Sequence, residues 1–133
     1  MFNTENEEWS QGPSMNQKRR SHSCFYDYQT KSIFVVGGYD GNRLATTEQC
    51  NLDTNQCITT PDLPEPLWYS AGVASKSDHF VGFVAGGDNG EITNKIYGLR
   101  RSDLTWELLP QKLQTARESH SMVNVPADQI PGC

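Results

Sequence analysis

Hydrophobic residues in this chain come in short bursts separated by turn-forming clusters, and the bursts recur. Ile33-Phe34-Val35-Val36 runs into Gly37-Gly38, and Val81-Gly82-Phe83-Val84-Ala85 runs into Gly86-Gly87, an offset of 49 residues. His22-Ser23 returns as His120-Ser121 two such periods later, and both Pro13, Pro61, Pro110 and Trp9, Cys57, Trp106 keep the register at offsets of 48 and 49. A period near 50 is too long for a heptad and marks a supersecondary unit repeated in space.

Within each unit the apolar segments are too short for stable helices and rich in strand-forming residues, so they predict strands. Ser21 to Tyr26 and His120 to Val125 are expected first strands, and Ile33 to Val36 and Phe80 to Ala85 second strands. Third strands are expected near Thr46 to Asn51 and Asn94 to Leu99, and fourth strands carry Cys57 or Trp106. The turns after the glycine pairs, Tyr39-Asp-Gly-Asn42 and Asp88-Asn-Gly90, supply residues tolerant of positive φ. Each unit therefore reads as a four-stranded antiparallel meander.

Four short strands, Gly-Gly after the second and an aromatic in the fourth resemble the kelch repeat, whose blades assemble radially into a β-propeller. Arg19-x-x-His22, Arg117-x-x-His120, both Gly-Gly pairs and Trp106 carry the resemblance, which spans Trp9 to about Val125. Departures accompany it. The second unit has Leu67 and Ser70 where Arg and His would stand, Cys50-x6-Cys57 replaces the Tyr-x6-Trp pair of the first, and Tyr97 is separated from Trp106 by eight residues, which implies a longer three-to-four turn. The expected division is an outer strand of an incomplete blade (1–15, with the strand over Glu7 to Pro13), two blades (16–62 and 63–111), an inner strand of a next blade (112–126, with the strand over Thr115 to Val125) and a tail (127–133). The fold class is thus all-β, about two and a half kelch-type blades that do not close a ring of the usual four to eight. The remaining blades are expected in cis or from another copy, the chain being read as a fragment of a longer kelch protein or as one part of an assembly.

Composition narrows the partners. With 35% hydrophobic residues, 11 Gly and 7 Pro the chain is too apolar for a disordered tail and too turn-rich for a helical bundle. Eleven Lys plus Arg against 16 Asp plus Glu leave a formal charge of −5, which disfavours nucleic acid and anionic membrane as partners. The longest uncharged apolar run is far short of a bilayer span, so a soluble chain is expected. Met1 to Ser14 is polar and acidic, unlike a secretory leader.

The resemblance implies protein binding through the loops joining strands two to three and four to one, which share a face, with no catalysis and no cofactor. On that face are expected Arg19 and Arg117, whose guanidinium can fork onto a carboxylate, and Tyr39, Asp40, Asn42, Asp88, Asn89 and Glu91 of the two-to-three loops. Trp68 and Tyr69 are either an aromatic anchor for a partner or a wedge between blades. The alternative function is a secreted structural or carbohydrate-binding propeller, with a copper-oxidase-like enzyme a distant third. No BTB or F-box segment is present, so a ubiquitin-ligase adaptor role would need further sequence. His22 and His120 are read as structural hydrogen-bonding groups and His79 as a solvent-exposed turn residue. Lys18-Arg19-Arg20 and Arg100-Arg101 are read as solvated clusters or as recognition of acidic groups.

Cys50 and Cys57 come directly opposite in a three-to-four hairpin with an even loop, at a separation a disulfide spans. The alternative is two free buried thiols. A bridge implies an oxidising compartment and reduced thiols a cytosolic one. Cys24 with Cys133 makes a weaker second pair, and without Cys-x-x-Cys no zinc or other metal site is expected.

Overall fold

The structure, a computed structural model, describes residues 1–125 and residue 129. Ten strands follow one another: β1 (Phe2–Asn3), β2 (Glu8–Trp9), β3 (Ser23–Asp27), β4 (Ser32–Val36), β5 (Thr47–Asn51), β6 (Gln56–Thr60), β7 (Ala71–Ala74), β8 (Phe80–Ala85), β9 (Lys95–Arg100) and β10 (Trp106–Lys112). Strands β3 to β6 form one antiparallel meander, β7 to β10 a second, and β1 with β2 a two-stranded hairpin. The three sheets do not close a ring, and among the described residues there is no α-helix. The all-β architecture read from the repeat is therefore the architecture present, compatible with partial propeller blades.

Two expected flanking strands differ. Residues 115–125 form no strand, since among the described residues none pairs with them in a ladder; isolated bonds such as Ser119 N–H to the Tyr69 carbonyl (2.9 Å) hold them instead. At the other end only Glu8–Trp9 of the expected Glu7 to Pro13 strand is ordered as β, and it pairs back onto Phe2–Asn3.

The strand-three to strand-four hairpins share one register. Phe2 stands opposite Trp9, Cys50 opposite Cys57, and Leu99 opposite Trp106. Left-handed residues recur in the turns before the fourth strands, at Glu7, Asn55 and Leu104, with φ of 56°, 55° and 55°. The second turn is consequently no longer than the first. Leu99, not Tyr97, faces Trp106, and Tyr97 occupies the place of Glu48.

Cys50 and Cys57 are joined by a disulfide, their Cα atoms 4.0 Å apart. Cys24 is a free, exposed cysteine, and its expected partner Cys133 lies outside the described residues.

The meanders pack face to face. Phe25, Phe34 and Val36 of the first meet Val81, Val84, Tyr97, Leu99 and Trp106 of the second, and Leu63 and Leu67 of the connection close the layer. Burial of such side chains contributes about 1.5–3 kcal/mol each. Gly82 makes the fit possible: a β-carbon there would stand 2.5 Å from the Phe25 ring. Polar groups in the interface are paired across it, Trp106 Nε1 donating to Thr47 Oγ1 at 3.1 Å and the hydroxyls of Ser23 and Ser70 meeting at 2.9 Å.

Candidate functional site

The two-to-three and four-to-one connections lie together on one face because the glycine pairs dock one onto the other. Gly37, Gly38, Gly86 and Gly87 all have left-handed backbone, with φ of 63°, 101°, 62° and 94°. A β-carbon on Gly37 would fall 2.2 Å from the Leu67 carbonyl oxygen, and one on Gly86 2.5 Å from that of Arg117. The N–H groups of Gly38 and Gly87 donate to these same carbonyls at 2.8 Å. Each Gly-Gly thus receives the backbone of the connection entering the next unit, which no side chain would permit.

That docking assembles a cluster from both meanders. The Trp68 ring centroid lies 4.9 Å from that of Tyr39 and 4.5 Å from that of Tyr69. The Arg20 guanidinium sits 5.1 Å from the Tyr39 ring centroid and that of Arg43 5.6 Å from the Trp68 ring, within cation–π range. Arg43 Nε also donates to Asp88 Oδ1 at 3.0 Å, and short antiparallel bridges tie Arg20 to Tyr39, Tyr39 to Arg43 and Trp68 to Asp88. The Gly90 N–H, with Arg43 in support, holds the Asp88 carboxyl below its ordinary value. Beside the cluster a cavity of about 390 Å³ is lined by Lys18, Arg19, Arg20, Tyr39, Asp40 and Gly41.

Of the residues expected on this face, Tyr39, Trp68, Tyr69 and Asp88 come together. Trp68 is half-buried, so it bridges the loops of the two meanders while leaving part of its ring open. Asp40 and Asn42 sit exposed at a loop tip, Asn42 N–H donating to Asp40 Oδ1 and Gln17 Nε2 to Asp40 Oδ2. Asn89 is turned away, its amide donating to Glu65 Oε2 at 2.6 Å. Glu91 is exposed in the same turn. Arg20 and Arg43 were missed as individual site residues. Arg20 looked like part of a solvated run, and Arg43 finds its carboxylate 45 positions along the chain, where no local pattern points.

Arg19 is corrected. Its side chain is wholly buried and donates to the Gly37 and Thr46 carbonyls at 2.8 and 2.9 Å and to Glu48 Oε1 at 2.6 Å. Arg19 does meet a carboxylate, through a single bond from Nη2 and not as a fork, and that carboxylate belongs to this chain. Arg117 holds the equivalent place with an exposed side chain, its Nε donating to the Thr115 carbonyl at 3.3 Å. Its backbone is used by Gly87.

The histidines sit beside the glycine pairs. A β-carbon on Gly38 would lie 3.0 Å from His22 Cβ, and one on Gly86 2.6 Å from the His120 ring. The expected hydrogen bonds from these rings to a neighbouring turn are not made among the described residues: His22 Nδ1 and both ring nitrogens of His120 are buried there without a partner. Burial, then the nearby Arg19 or Arg117, pushes both imidazoles below their ordinary value, which favours neutral rings. On the opposite face Arg101 clamps Asp27 through two bonds of 3.1 Å, joining the first meander to the second.

No protein-family model matches the chain. It is similar to a RING finger domain and kelch repeat-containing protein of Dictyostelium discoideum, 25% identical over 137 residues that take in 98% of this chain and 13% of that protein. The all-β meanders are compatible with kelch blades.

Proposed function

We propose that the chain is a kelch-type protein-interaction module, an adaptor or scaffold without catalysis of its own, which docks an acidic segment of a protein partner on its loop face. The observation that carries this reading is the Arg20–Tyr39–Trp68–Arg43 stack, assembled from both meanders. Aromatic rings with arginines over them offer the residue types that dominate interfaces, and the guanidinium edges suit carboxylates. Similarity to a kelch repeat-containing protein supports the blade assignment. In that reading the flanks of the two blades are covered by further blades, in cis or from another copy. Selection of displayed peptides on the intact chain tests the proposal. Asp- and Glu-rich sequences should be enriched, and Trp68→Ala and the Arg20→Ala/Arg43→Ala pair should each weaken them at least tenfold. Enrichment without acidic character, or binding indifferent to these substitutions, would overturn it.

A second reading, a secreted structural or carbohydrate-binding propeller, draws on the Cys50–Cys57 disulfide, which is compatible with an extracellular location. Glycan-array binding lost on Trp68→Ala would favour it over the first.

A further inference from the structure

We propose that the Cys50–Cys57 hairpin, once reduced, is a binding site for a thiophilic divalent cation of the zinc class, with Glu48 as the third protein ligand. The two sulfurs and a carboxylate oxygen of Glu48 all lie within 4.8 Å of one another. Strand register creates this convergence: Glu48 and Cys50 are two residues apart on β5 and share a face, and Cys57 stands opposite Cys50 on β6. Tetrahedral zinc needs S and O donors at about 2.3 and 2.1 Å from the ion, hence about 3.5 Å from each other. Two freed sulfurs separating to contact distance meet that requirement within the same cluster.

The chemistry balances. A dithiol reductant gives two electrons and two protons to the S–S bond, leaving two thiols. The entering cation displaces those two protons to solvent and is held by the resulting thiolates. Two thiolates and the Glu48 carboxylate then oppose the dication and the Arg19 guanidinium, so the buried cluster is neutral.

Glu48 is already oriented for this role. Arg19 Nη2 and the Gln17 N–H donate to Oε1 at 2.6 and 3.1 Å, and the Asn16 N–H donates to Oε2 at 2.7 Å. Such outer partners fix a ligating carboxylate, and Oε2, accepting one bond, keeps a lone pair free. A cavity of about 430 Å³, lined by Gly12, Ser14, Asn16, Gln56 and Cys57 among others, opens onto the hairpin and offers both an entry path and water for the fourth position. Six residues between the cysteines is not a zinc-knuckle spacing, which is why the sequence points elsewhere; here the cross-strand pair takes the place of the knuckle.

The test uses the intact chain in a Cys24→Ser/Cys133→Ser background, reduced with a phosphine, with cobalt(II) as the probe and circular dichroism confirming the β-fold. One cobalt per chain should bind with a sulfur-to-cobalt charge-transfer band that zinc abolishes, and the oxidised chain should show none. Cys57→Ser should remove most of the band. The pair Glu48→Gln/Arg19→Met, which takes out both buried charges together, should weaken binding at least tenfold. A folded, reduced chain without the band in excess cobalt, a band unchanged by Cys57→Ser, or undiminished affinity in the Glu48→Gln/Arg19→Met pair would each overturn the proposal.

Discussion

Arg19 and Arg20 are neighbours with opposite fates. Arg19 points inward and holds the backbone of the first glycine pair through the Gly37 carbonyl while neutralising buried Glu48; Arg20 lies out over Tyr39. Replacing Arg19 by Ala removes one member of a pair whose side chains are 0% and 2% exposed, leaving an uncompensated buried carboxylate. The expected cost is about 3–5 kcal/mol, read as a fall in the denaturant midpoint. Arg20→Ala, losing one exposed cation–π contact, should cost about 0.5–1 kcal/mol. Equal losses would show that Arg19 is not buried as described. The arginine at this place was legible in the sequence and its direction was not. Its carboxylate stands 29 positions away on the third strand, and nothing in Lys18-Arg19-Arg20 says which of three cations turns inward.

At the scale of the element, one position in the three-to-four hairpin is filled by three different chemistries: Phe2 against Trp9, Cys50 bonded to Cys57, and Leu99 against Trp106. The disulfide was legible because an even hairpin loop makes cross-strand partners arithmetic. The Leu99–Trp106 pair was not, because Tyr97 drew attention as the aromatic although the 49-residue offset places it level with Glu48. A Cys50→Ala/Cys57→Ala chain should lose about 2 kcal/mol, the loop-closure contribution of so small a ring, with its β-content unchanged by circular dichroism. Loss of the fold would mean that the bridge does more than restrain the unfolded chain. Gly82 tests the contact between meanders. Its backbone is ordinary, so the cost of Gly82→Ala is steric: the new β-carbon would meet the Phe25 ring at 2.5 Å and the Val73 carbonyl oxygen at 2.8 Å, and the change should destabilise by about 1–3 kcal/mol. Phe25→Leu in the same chain should recover part of that loss by making room.

Across the whole molecule, stability depends on a hydrophobic layer between two sheets and on ionisable groups placed at its margins, so its pH dependence has two separate origins. His22 and His120 have folded-state values below the ordinary 6.5, chiefly through burial. The unfolded chain therefore takes up protons more readily, and the stability these rings contribute is complete above about pH 6.5 and is lost as pH falls from there through their folded values. Asp27 behaves the same way lower on the scale. Burial alone would raise its carboxyl, but the Arg101 guanidinium, with Thr30 and the Gln29 N–H, outweighs burial and holds it below 3.8. Its contribution is intact above that value and disappears as pH falls through the depressed one, releasing the clamp between the sheets. Glu65, where the bonds from Lys95, Tyr97 and Asn89 outweigh burial, adds to this second loss. Thermal midpoints followed from pH 8 to pH 2 should therefore fall in two stages, one beginning near 6.5 and one below about 4. A His22→Asn/His120→Asn chain should flatten the first stage and keep the second, whereas Asp27→Asn should lower the midpoint at neutral pH and shrink the second stage only. A single transition across the range, or a first stage that survives removal of both histidines, would contradict the assignment of these two windows.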